Sequence, residues 1–178
     1  RLVDTGNSYL VTSITANVAN SPTRTMHVAG DRSMFIVAHA GMIDVYGVTQ
    51  PTVTPAGGVP TMPALSYTVG DGTAADKGGT RALAQVQQPY GLDIDTTTDE
   101  VVVASIDVVS RISRAGRLNI FAGGAGIGGG LTTAAGFGAP WDVNVNAGGV
   151  TAVADYSHRA WTITPGGLVA LIGGDGNE

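Results

Sequence analysis

The residues best suited to chemistry in this chain are two matching pairs of oxygen donors. Asp93 and Asp95 are separated by one apolar residue, and Asn144 and Asn146 repeat that spacing 51 positions later. Side chains two positions apart in a strand lie on one face, and converging oxygens are the ligands that calcium prefers. Asp93 and Asn144 are therefore candidate metal ligands, with the lining of a hydrated channel as the simpler interpretation. We expect Asp95 and Asn146 to begin the following turns.

A second candidate is the cluster of Asp155, His158 and Arg159. Acid–base catalysis would need a further carboxylate and a nucleophile that converge on it, and spacing alone shows neither. An aspartate before a turn commonly accepts hydrogen bonds from the backbone of that turn. We therefore interpret the cluster as a structural corner between strands.

Two kinds of side chain are candidate partner contacts. Tyr90 and Trp141 each follow a proline at equivalent places, so they predict either aromatic anchors at a rim or packing between repeats. Arg111, Arg114 and Arg117 form a short basic stripe. That stripe predicts contact with an acidic partner or RNA, or simply a solvated surface.

These residues lie in two segments, 89–124 and 140–174, that repeat one sequence pattern. The segments align at an offset of 51 residues up to Asp95 and, after one deletion, at an offset of 50, which pairs Gly116 with Gly166 and Gly123-Gly124 with Gly173-Gly174. A period of about 50 residues is typical of repeat architectures, in which each repeat buries its apolar face against its neighbours.

Each repeat predicts four short strands separated by turns. The predicted strands of the later repeat are Trp141–Val145, Val150–Ala154, Arg159–Thr164 and Leu168–Ile172. Those of the earlier repeat are Tyr90–Asp95, Glu100–Ala104, Val109–Ser113 and Leu118–Ala122. Four antiparallel strands per repeat of this length indicate the blades of a β-propeller. The predicted fold class is all-β, a partial propeller with about three to four blades represented.

The rest of the chain gives a weaker form of the same pattern. Residues 25–70 are predicted to form a blade with an insertion at 51–63, where four of the eight prolines lie. Residues 1–20 are predicted to be part of another blade. Glycine-rich linkers join the blades, including residues 123–130, which lack the following helix that a phosphate-binding loop requires. Because propellers need about four to eight blades to close, we expect an incomplete propeller within a larger polypeptide or assembly.

Composition narrows the function further. The chain has 178 residues, 27 glycines, no cysteine and a net charge of −5. The acidic balance disfavours nucleic acid as a partner, and the absence of cysteine excludes disulfides and thiolate metal sites. No apolar run reaches the roughly 18 residues of a membrane-spanning helix. Residues 1–20 lack the pattern of a signal peptide, and no compartment is assigned.

Several runs of the later repeat resemble the NHL repeat. The matching residues are Gly136-Phe137-Gly138-Ala139-Pro140-Trp141-Asp142-Val143, then Val153-Ala154-Asp155-Tyr156-Ser157-His158-Arg159, then Thr164-Pro165-Gly166-Gly167. The earlier repeat keeps the Pro89 run but has Ser105 where the motif has aspartate. The resemblance implies a propeller, and NHL propellers serve as protein-binding, RNA-binding and occasionally enzymatic platforms.

The sequence thus favours a non-catalytic propeller module that binds a protein partner. The expected contact surface combines Tyr90, Trp141, residues 51–63 and the glycine-rich linkers. One alternative is a propeller hydrolase or lyase with a channel-bound calcium or zinc held in part by Asp93 and Asn144. Another is a structural segment of an extracellular assembly. No resident cofactor is predicted.

Overall fold

The computed structural model describes residues 2–4, 9–11, 23–28, 34–39, 41–47, 64–124, 129–131 and 135–177. Within these ranges the chain forms 16 strands, β1 to β16, and one 3-10 turn at Arg81–Leu83. None of the helical structure in these ranges is long and apolar enough to cross a membrane. The fold is all-β, as the sequence predicts.

Three antiparallel sheets follow one another along the chain. The first sheet contains β3 (Thr23–Val28), β4 (Met34–His39), β5 (Met42–Gly47) and β6 (Ala64–Val69). The middle sheet contains β8 (Gly91–Asp95), β9 (Glu100–Ala104), β10 (Val108–Ile112) and β11 (Arg117–Gly123). The last sheet contains β13 (Pro140–Val145), β14 (Thr151–Asp155), β15 (Arg159–Ile163) and β16 (Leu168–Gly173). A separate two-stranded sheet pairs β1 (Leu2–Asp4) with β2 (Tyr9–Val11).

The predicted strands of the two repeats agree with the observed ones to within one or two residues. The linkers differ from the prediction because they also contribute strands. β7 (Gly79–Thr80) pairs with β11, and β12 (Gly130–Leu131) pairs with β16. Each adds a fifth strand to the outer edge of the sheet that follows it. The predicted insertion at 51–63, residues 125–128 and most of residues 1–20 lie outside the described residues.

Apolar side chains between successive sheets form two cores. One core joins the first and middle sheets through residues such as Ile36, Ile43 and Val101. The other joins the middle and last sheets through residues such as Val102 and Trp161. The middle sheet is therefore buried on both faces, which explains why Val101–Ala104 is a continuous apolar run. Face-to-face packing of successive four-stranded sheets is the arrangement of propeller blades.

The hydrogen bonds correct the alignment of the two repeats. Gly116 N–H donates to Ser113 O at 2.8 Å, and Gly167 N–H donates to Thr164 O at 2.9 Å. Gly116 therefore corresponds to Gly167, not to Gly166. Counted between positions equated by the strand registers, the connection from β13 to β14 is one residue shorter than that from β8 to β9. The connection from β14 to β15 is one residue longer than that from β9 to β10. The deletion is thus compensated, and the offset returns to 51.

A glycine at or just after the end of the fourth strand has the same structural role in all three sheets. Gly70, Gly123 and Gly174 have positive φ angles of +110°, +104° and +81°. A Cβ atom at any of them would clash with a backbone carbonyl in the turn between the second and third strands, at Gly41, Asp107 or His158 respectively. Glycine is needed both for the backbone conformation and for this close approach.

Candidate functional site

An exposed row of aromatic rings spans the junction between the middle and last sheets. The rings of Tyr90 and Trp141 are stacked, with centroids 4.6 Å apart and planes 10° apart. Tyr156 lies beyond Trp141 at 5.6 Å, and His158 follows Tyr156 at 6.5 Å. Trp141 is 51% exposed and Tyr156 is 70% exposed. We call Tyr90, Trp141, Tyr156 and His158 the aromatic row.

The innermost strands of the two sheets bring the row together. Tyr90 immediately precedes β8, while Trp141 lies in β13 at a bulge between Pro140 and Asp142. The strands approach closely because position 91 is glycine. A Cβ atom there would be 2.6 Å from the Cα atom of Asp142. The turn that carries Tyr156 is held to the entry of β13 by its backbone N–H, which donates to Ala139 O at 2.9 Å.

Both sequence-based interpretations of Tyr90 and Trp141 describe part of this geometry. The two rings pack between repeats, and the indole is also exposed at the rim. Tyr156 and His158 were not predicted as part of the row. Pairing of Pro140 with Asp155 places the turn that carries Tyr156 and His158 beside the start of β13. That pairing is the feature from which their proximity to Trp141 could have been predicted.

Asp155, at the end of β14, is the hydrogen-bonding centre of the adjoining corner. Its Oδ2 atom accepts the backbone N–H of Gly138 at 2.8 Å and the indole N–H of Trp161 at 3.2 Å. Its Oδ1 atom accepts the N–H groups of Ala139 at 2.8 Å and Ser157 at 3.0 Å. This arrangement matches the interpretation of the cluster around Asp155 as a strand corner.

These contacts also determine how Asp155 titrates. Burial acts to raise the pKa of its carboxyl group, but hydrogen bonds from the backbone N–H groups of Ser157, Gly138 and Ala139 outweigh burial and lower the pKa below its ordinary value. Arg159 donates to Ser157 Oγ at 3.2 Å and to Asp175 O at 3.1 Å.

In the middle sheet a carboxylate from the linker replaces the aspartate that the motif lacks. Ser105 holds the position of Asp155, and Gln87 holds that of Gly138. The N–H of Gln87 donates to Asp76 Oδ1 at 3.1 Å, beside the Ser105 hydroxyl. Asp76 therefore accepts the same backbone group in this sheet that Asp155 accepts in the last sheet.

The pKa of Asp76 is raised, whereas that of Asp155 is lowered. Burial raises the pKa of Asp76, the hydrogen bond from the Gln87 N–H and the nearby Ser105 hydroxyl only partly oppose that effect, and the nearby charge of Asp107 raises the pKa further. An acid whose pKa is raised on folding stabilises the fold when protonated, and that contribution is lost as pH rises through the folded pKa.

Replacing Asp76 with asparagine is therefore expected to be neutral or stabilising at pH 7. Asp76→Asn keeps a side-chain oxygen for the Gln87 N–H and removes a charge that burial disfavours. We expect the free energy of unfolding at pH 7 to rise by up to about 1 kcal/mol. Urea denaturation followed by circular dichroism tests this. A loss of more than about 1 kcal/mol would show that the charge itself holds the corner.

Asp93, one of the two candidate metal ligands, joins the two innermost strands. Its Oδ2 atom accepts the backbone N–H of Val145 at 2.5 Å, across the sheet junction, and its Oδ1 atom accepts the N–H of Ile94 at 2.7 Å. Its side chain is buried, whereas Asn144 is exposed. Across the described part of the chain, no group of three or more His, Cys, Asp or Glu side chains could hold a metal ion.

Asp95 begins a turn, as expected. Its Oδ1 atom accepts the N–H of Thr97 at 2.9 Å, and Arg111 donates to Oδ2 at 3.0 Å. Burial acts to raise the pKa of Asp95, but the contacts with Thr97 and Arg111 outweigh it and lower the pKa. Asn146 has the same role in the last sheet, where its Oδ1 atom accepts the N–H of Gly148 at 2.8 Å.

The three arginines of the predicted basic stripe do not share one surface. Arg111 is only 12% exposed, its guanidinium group lies 4.0 Å from the ring centroid of Phe121, and it also contacts Glu100 at 3.4 Å. The interpretation of Arg111 as a solvated residue is therefore wrong, because its ion pairs and the ring enclose it. Arg114 is exposed and pairs with Asp99 at 2.6 Å. Contact of Arg114 and Arg117 with a partner stays a prediction.

The predicted contact surface also divides between two ends of the blades. The predicted insertion at 51–63 falls between Gly47, the end of β5, and Ala64, the start of β6, and these two strand ends correspond to those that flank the turn after β10. The turn after β9 and the turn after β10 lie at opposite ends of β10. The turn after β9 corresponds to the turn that carries Tyr156. The ends of β5 and β6 at Gly47 and Ala64 are therefore at the end of the first sheet opposite the one that corresponds to the position of the aromatic row.

The first sheet contains an equivalent corner in which the acid and its ring partner are on exchanged strands. His39, at the position of Asp155, lies with Nε2 3.1 Å from Asp44 Oδ2. Asp44 holds the position of Trp161, and Thr68 donates its hydroxyl to Asp44 Oδ1 at 2.5 Å. The acid is thus on the third strand instead of the second. His39 is buried within this contact, which gives it a structural role in the sheet.

Comparison with known sequences finds no protein-family model that matches the chain. No curated protein matches it either.

Comparison with solved structures identifies similar folds. An auxiliary nutrient binding protein from Bacteroides ovatus matches with a TM-score of 0.59 and 12% sequence identity, over 83% of this chain and 37% of that protein. An auxiliary nutrient binding protein from Bacteroides thetaiotaomicron matches with a TM-score of 0.55 and 12% identity, over 73% of this chain and 34% of that protein. The chain therefore spans about a third of the length of these structures. At this identity the likeness shows the fold, which is a partial β-propeller.

Proposed function

We propose that this chain is part of a non-catalytic, NHL-type propeller that binds a protein partner through the aromatic row. The observation that carries the proposal is the exposure of Trp141 and Tyr156 on a fixed scaffold. Tyrosine and tryptophan are enriched at protein interfaces because they offer a large contact area at low entropic cost. Packing between the sheets fixes the rings before binding, which reduces that cost further.

The shape of the row favours a protein over a small ligand. Tyr90 and Tyr156 flank the indole of Trp141 on two sides. The row therefore offers four neighbouring rings to a partner, not one isolated ring. Small-molecule sites are usually concave and enclose most of the ligand surface, whereas an extended aromatic line suits a protein surface.

The corner geometry supports the NHL assignment. The aspartate of the Val-Ala-Asp run accepts four hydrogen bonds at the corner, and Asp76 supplies a carboxylate where the middle sheet lacks that aspartate. The corner carboxylates of the last and middle sheets therefore have structural roles, which leaves the exposed aromatic row available for binding.

A second candidate ligand is a nutrient, because the similar structures are described as nutrient binding proteins. On this alternative the same aromatic row would contact a small molecule or polymer. The two candidates differ in the size of the bound species, which can be measured.

Comparative affinity capture tests the proposal. The immobilised chain, the double variant Trp141→Ala/Tyr156→Ala and the control Leu83→Ala are incubated with source-cell extract, and bound proteins are quantified by mass spectrometry. Leu83 is a suitable control because it is also largely exposed but lies outside the row. We expect a protein that the chain and the control retain and that the double variant loses by about 30-fold or more, as for a hot spot. Equal retention by all three forms would overturn the proposal. The proposal would also be overturned if, after ultrafiltration of the extract, only the low-mass fraction contained a species that binds the chain.

A further inference from the structure

Three exposed arginines meet at the turn between β10 and β11. Arg114 lies within this turn, and Arg117 is the first residue of β11. Arg81 belongs to the 3-10 turn of the preceding linker, and its backbone N–H donates to Gly116 O at 2.9 Å. All three arginines are exposed. We call Arg81, Arg114 and Arg117 the arginine cluster.

The backbone of Arg81 is held from both sides. Its φ angle is +44°, in the left-handed region that residues with a side chain rarely adopt. Its N–H is bonded to the turn at Gly116, and its carbonyl O accepts the N–H of Gly70 at 3.1 Å. Such a conformation persists when the surrounding structure fixes it, and it is common at ligand-binding positions. Arg81 therefore links the end of the first sheet to the turn that carries Arg114.

The side chain of Arg81 lies on the same turn. A Cβ atom on Gly116 would be 3.0 Å from Arg81 Cγ. The guanidinium carbon lies 5.5 Å from the ring centroid of Tyr67, whose hydroxyl donates to Ser113 O at 3.4 Å. Burial raises the pKa of the Tyr67 phenol, and the nearby charges of Arg81 and Arg114 act to lower it. Two guanidinium groups of the cluster are thus close to one phenol.

The strand register places Arg117 beside Arg81. Arg117 on β11 is opposite Thr80 on β7, and Thr80 immediately precedes Arg81. Opposed residues of an antiparallel pair have Cα atoms about 4.5–5.5 Å apart. The Nε atom of Arg117 donates to Asn119 Oδ1 at 3.2 Å, which orients its side chain on the strand. The cluster therefore joins residues from two separate segments of the chain.

The arginine cluster has more positive charge than its surroundings neutralise. Arg114 pairs with Asp99 at 2.6 Å, and within the described residues no other carboxylate forms an ion pair with the cluster. The next acid along the chain, Asp71, instead accepts hydrogen bonds from the Thr73 N–H and the Gln85 amide. The guanidinium groups of Arg81 and Arg117 are therefore positioned to bind anionic groups of a partner.

We propose that the arginine cluster binds an acidic peptide segment of a protein partner, whose carboxylates pair with Arg81 and Arg117. Guanidinium groups bind carboxylates through two parallel N–H bonds, a geometry that gives both strength and specificity. The turn after β10 lies at the opposite end of β10 from the turn after β9, whose counterpart carries Tyr156. This surface is therefore separate from the aromatic row and does not depend on partner binding there.

Charge and the local rings favour a peptide over RNA. Affinity for nucleic acid comes mainly from neutralising many phosphates, and a chain with a net charge of −5 repels a long polyanion. Single-stranded RNA is also bound through ring faces on which its bases stack. The ring beside the cluster, that of Tyr67, is half-buried and has Arg81 over it. An acidic peptide needs only a few carboxylates and no free ring face.

Fluorescence anisotropy with labelled hexaglutamate tests the proposal. The natural chain is compared with Arg81→Gln/Arg117→Gln and with the control Lys77→Gln/Arg159→Gln, which removes the same charge outside the cluster. At a salt concentration of about 150 mM, charges more than about 8 Å apart are largely screened. We therefore expect the dissociation constant to rise about tenfold or more in the cluster variant, because paired guanidinium groups are lost. The control should change it by less than about twofold.

Two further probes use the natural chain and so do not depend on how a cluster variant folds. The chain should bind hexaglutamate about tenfold more tightly than labelled hexaglutamine, which has no charge, and more tightly than labelled hexauridylate. The row variant Trp141→Ala/Tyr156→Ala should bind hexaglutamate as the natural chain does. That result would separate this surface from the aromatic row, whatever the row binds.

Three results would overturn the proposal. The first is equal affinity of the natural chain for hexaglutamate and hexaglutamine. The second is an equal loss of hexaglutamate binding in the cluster variant and its control, with both shown to be folded by circular dichroism. The third is tighter binding of hexauridylate than of hexaglutamate, which would make RNA the partner of the cluster.

Discussion

Replacing Asp155 with alanine is expected to lower the free energy of unfolding by about 3–4 kcal/mol, because each buried donor left without an acceptor costs about 1–3 kcal/mol. Four donors lose their acceptor in this variant, including the indole N–H of Trp161. Relaxation of the turn recovers part of the loss, so the total is smaller than four separate costs. Urea denaturation at pH 7, followed by circular dichroism, measures the change.

The effect of Asp155→Ala should also depend on pH. The pKa of Asp155 is lowered in the folded state by hydrogen bonds that outweigh burial. Its contribution to stability is therefore complete above the unfolded pKa of about 3.9 and is lost as pH falls through the folded pKa. The difference between the natural chain and the variant should narrow in that range. Asp107→Asn, on an exposed turn, is the control. Equal losses from both substitutions at pH 7 would contradict the account of the corner.

Gly91→Ala is expected to destabilise the chain by about 1–3 kcal/mol, the usual cost of overpacking. The added Cβ atom would be 2.6 Å from the Cα atom of Asp142, so β8 and β13 must separate. Backbone conformation is not the cause, since Gly91 is absent from the residues with positive φ. Separation of the strands should also weaken the hydrogen bond between Asp93 and Val145.

The control for Gly91→Ala is Asp142→Ala, at the equivalent position of the last sheet. Asp142 is exposed, and among the described residues no sheet follows the one that contains its strand. We therefore expect a change within about 0.5 kcal/mol, as for a surface substitution. Thermal unfolding of both variants compares the two positions directly. A similar loss at both would mean that glycine is preferred at position 91 for reasons within its own strand.

The sequence was sufficient to predict the strands because their residues alternate and their turns contain glycine and aspartate. The repeat showed that these strands group in fours. It also located Tyr90 and Trp141 at equivalent positions. Each of these inferences depends on residues that are close in sequence or related by a fixed offset.

The features that were missed depend on contacts between distant segments. Asp76 replaces the missing aspartate of the middle sheet from 29 positions before Ser105, outside the repeat pattern. Arg111 is enclosed because Asp95 and Phe121 converge on it from two other strands. The bridge from Asp93 to Val145 crosses between sheets, so neither repeat shows it alone.

The alignment error had a different cause. Glycines at adjacent positions allowed Gly123-Gly124 to be paired with Gly173-Gly174, although the clashes with second-turn carbonyls equate Gly123 with Gly174. Identity of residue type could not distinguish the two alignments. The strand registers show that the offset is 51 throughout the later strands, because Ala104 pairs with Val109 and Ala154 pairs with Ala160.

The claim on which the account depends is that successive sheets pack with their innermost strands in contact. Hydrogen exchange at the Val145 amide tests it most directly, because this N–H on the inner edge of β13 donates to Asp93 of the preceding sheet. We predict slow exchange that Asp93→Ala accelerates, while the neighbouring Asn146 N–H, which donates to Val150 O within its own sheet, is unaffected. Exchange of the Val145 amide as fast as in an exposed turn, or unchanged by Asp93→Ala, would contradict the account.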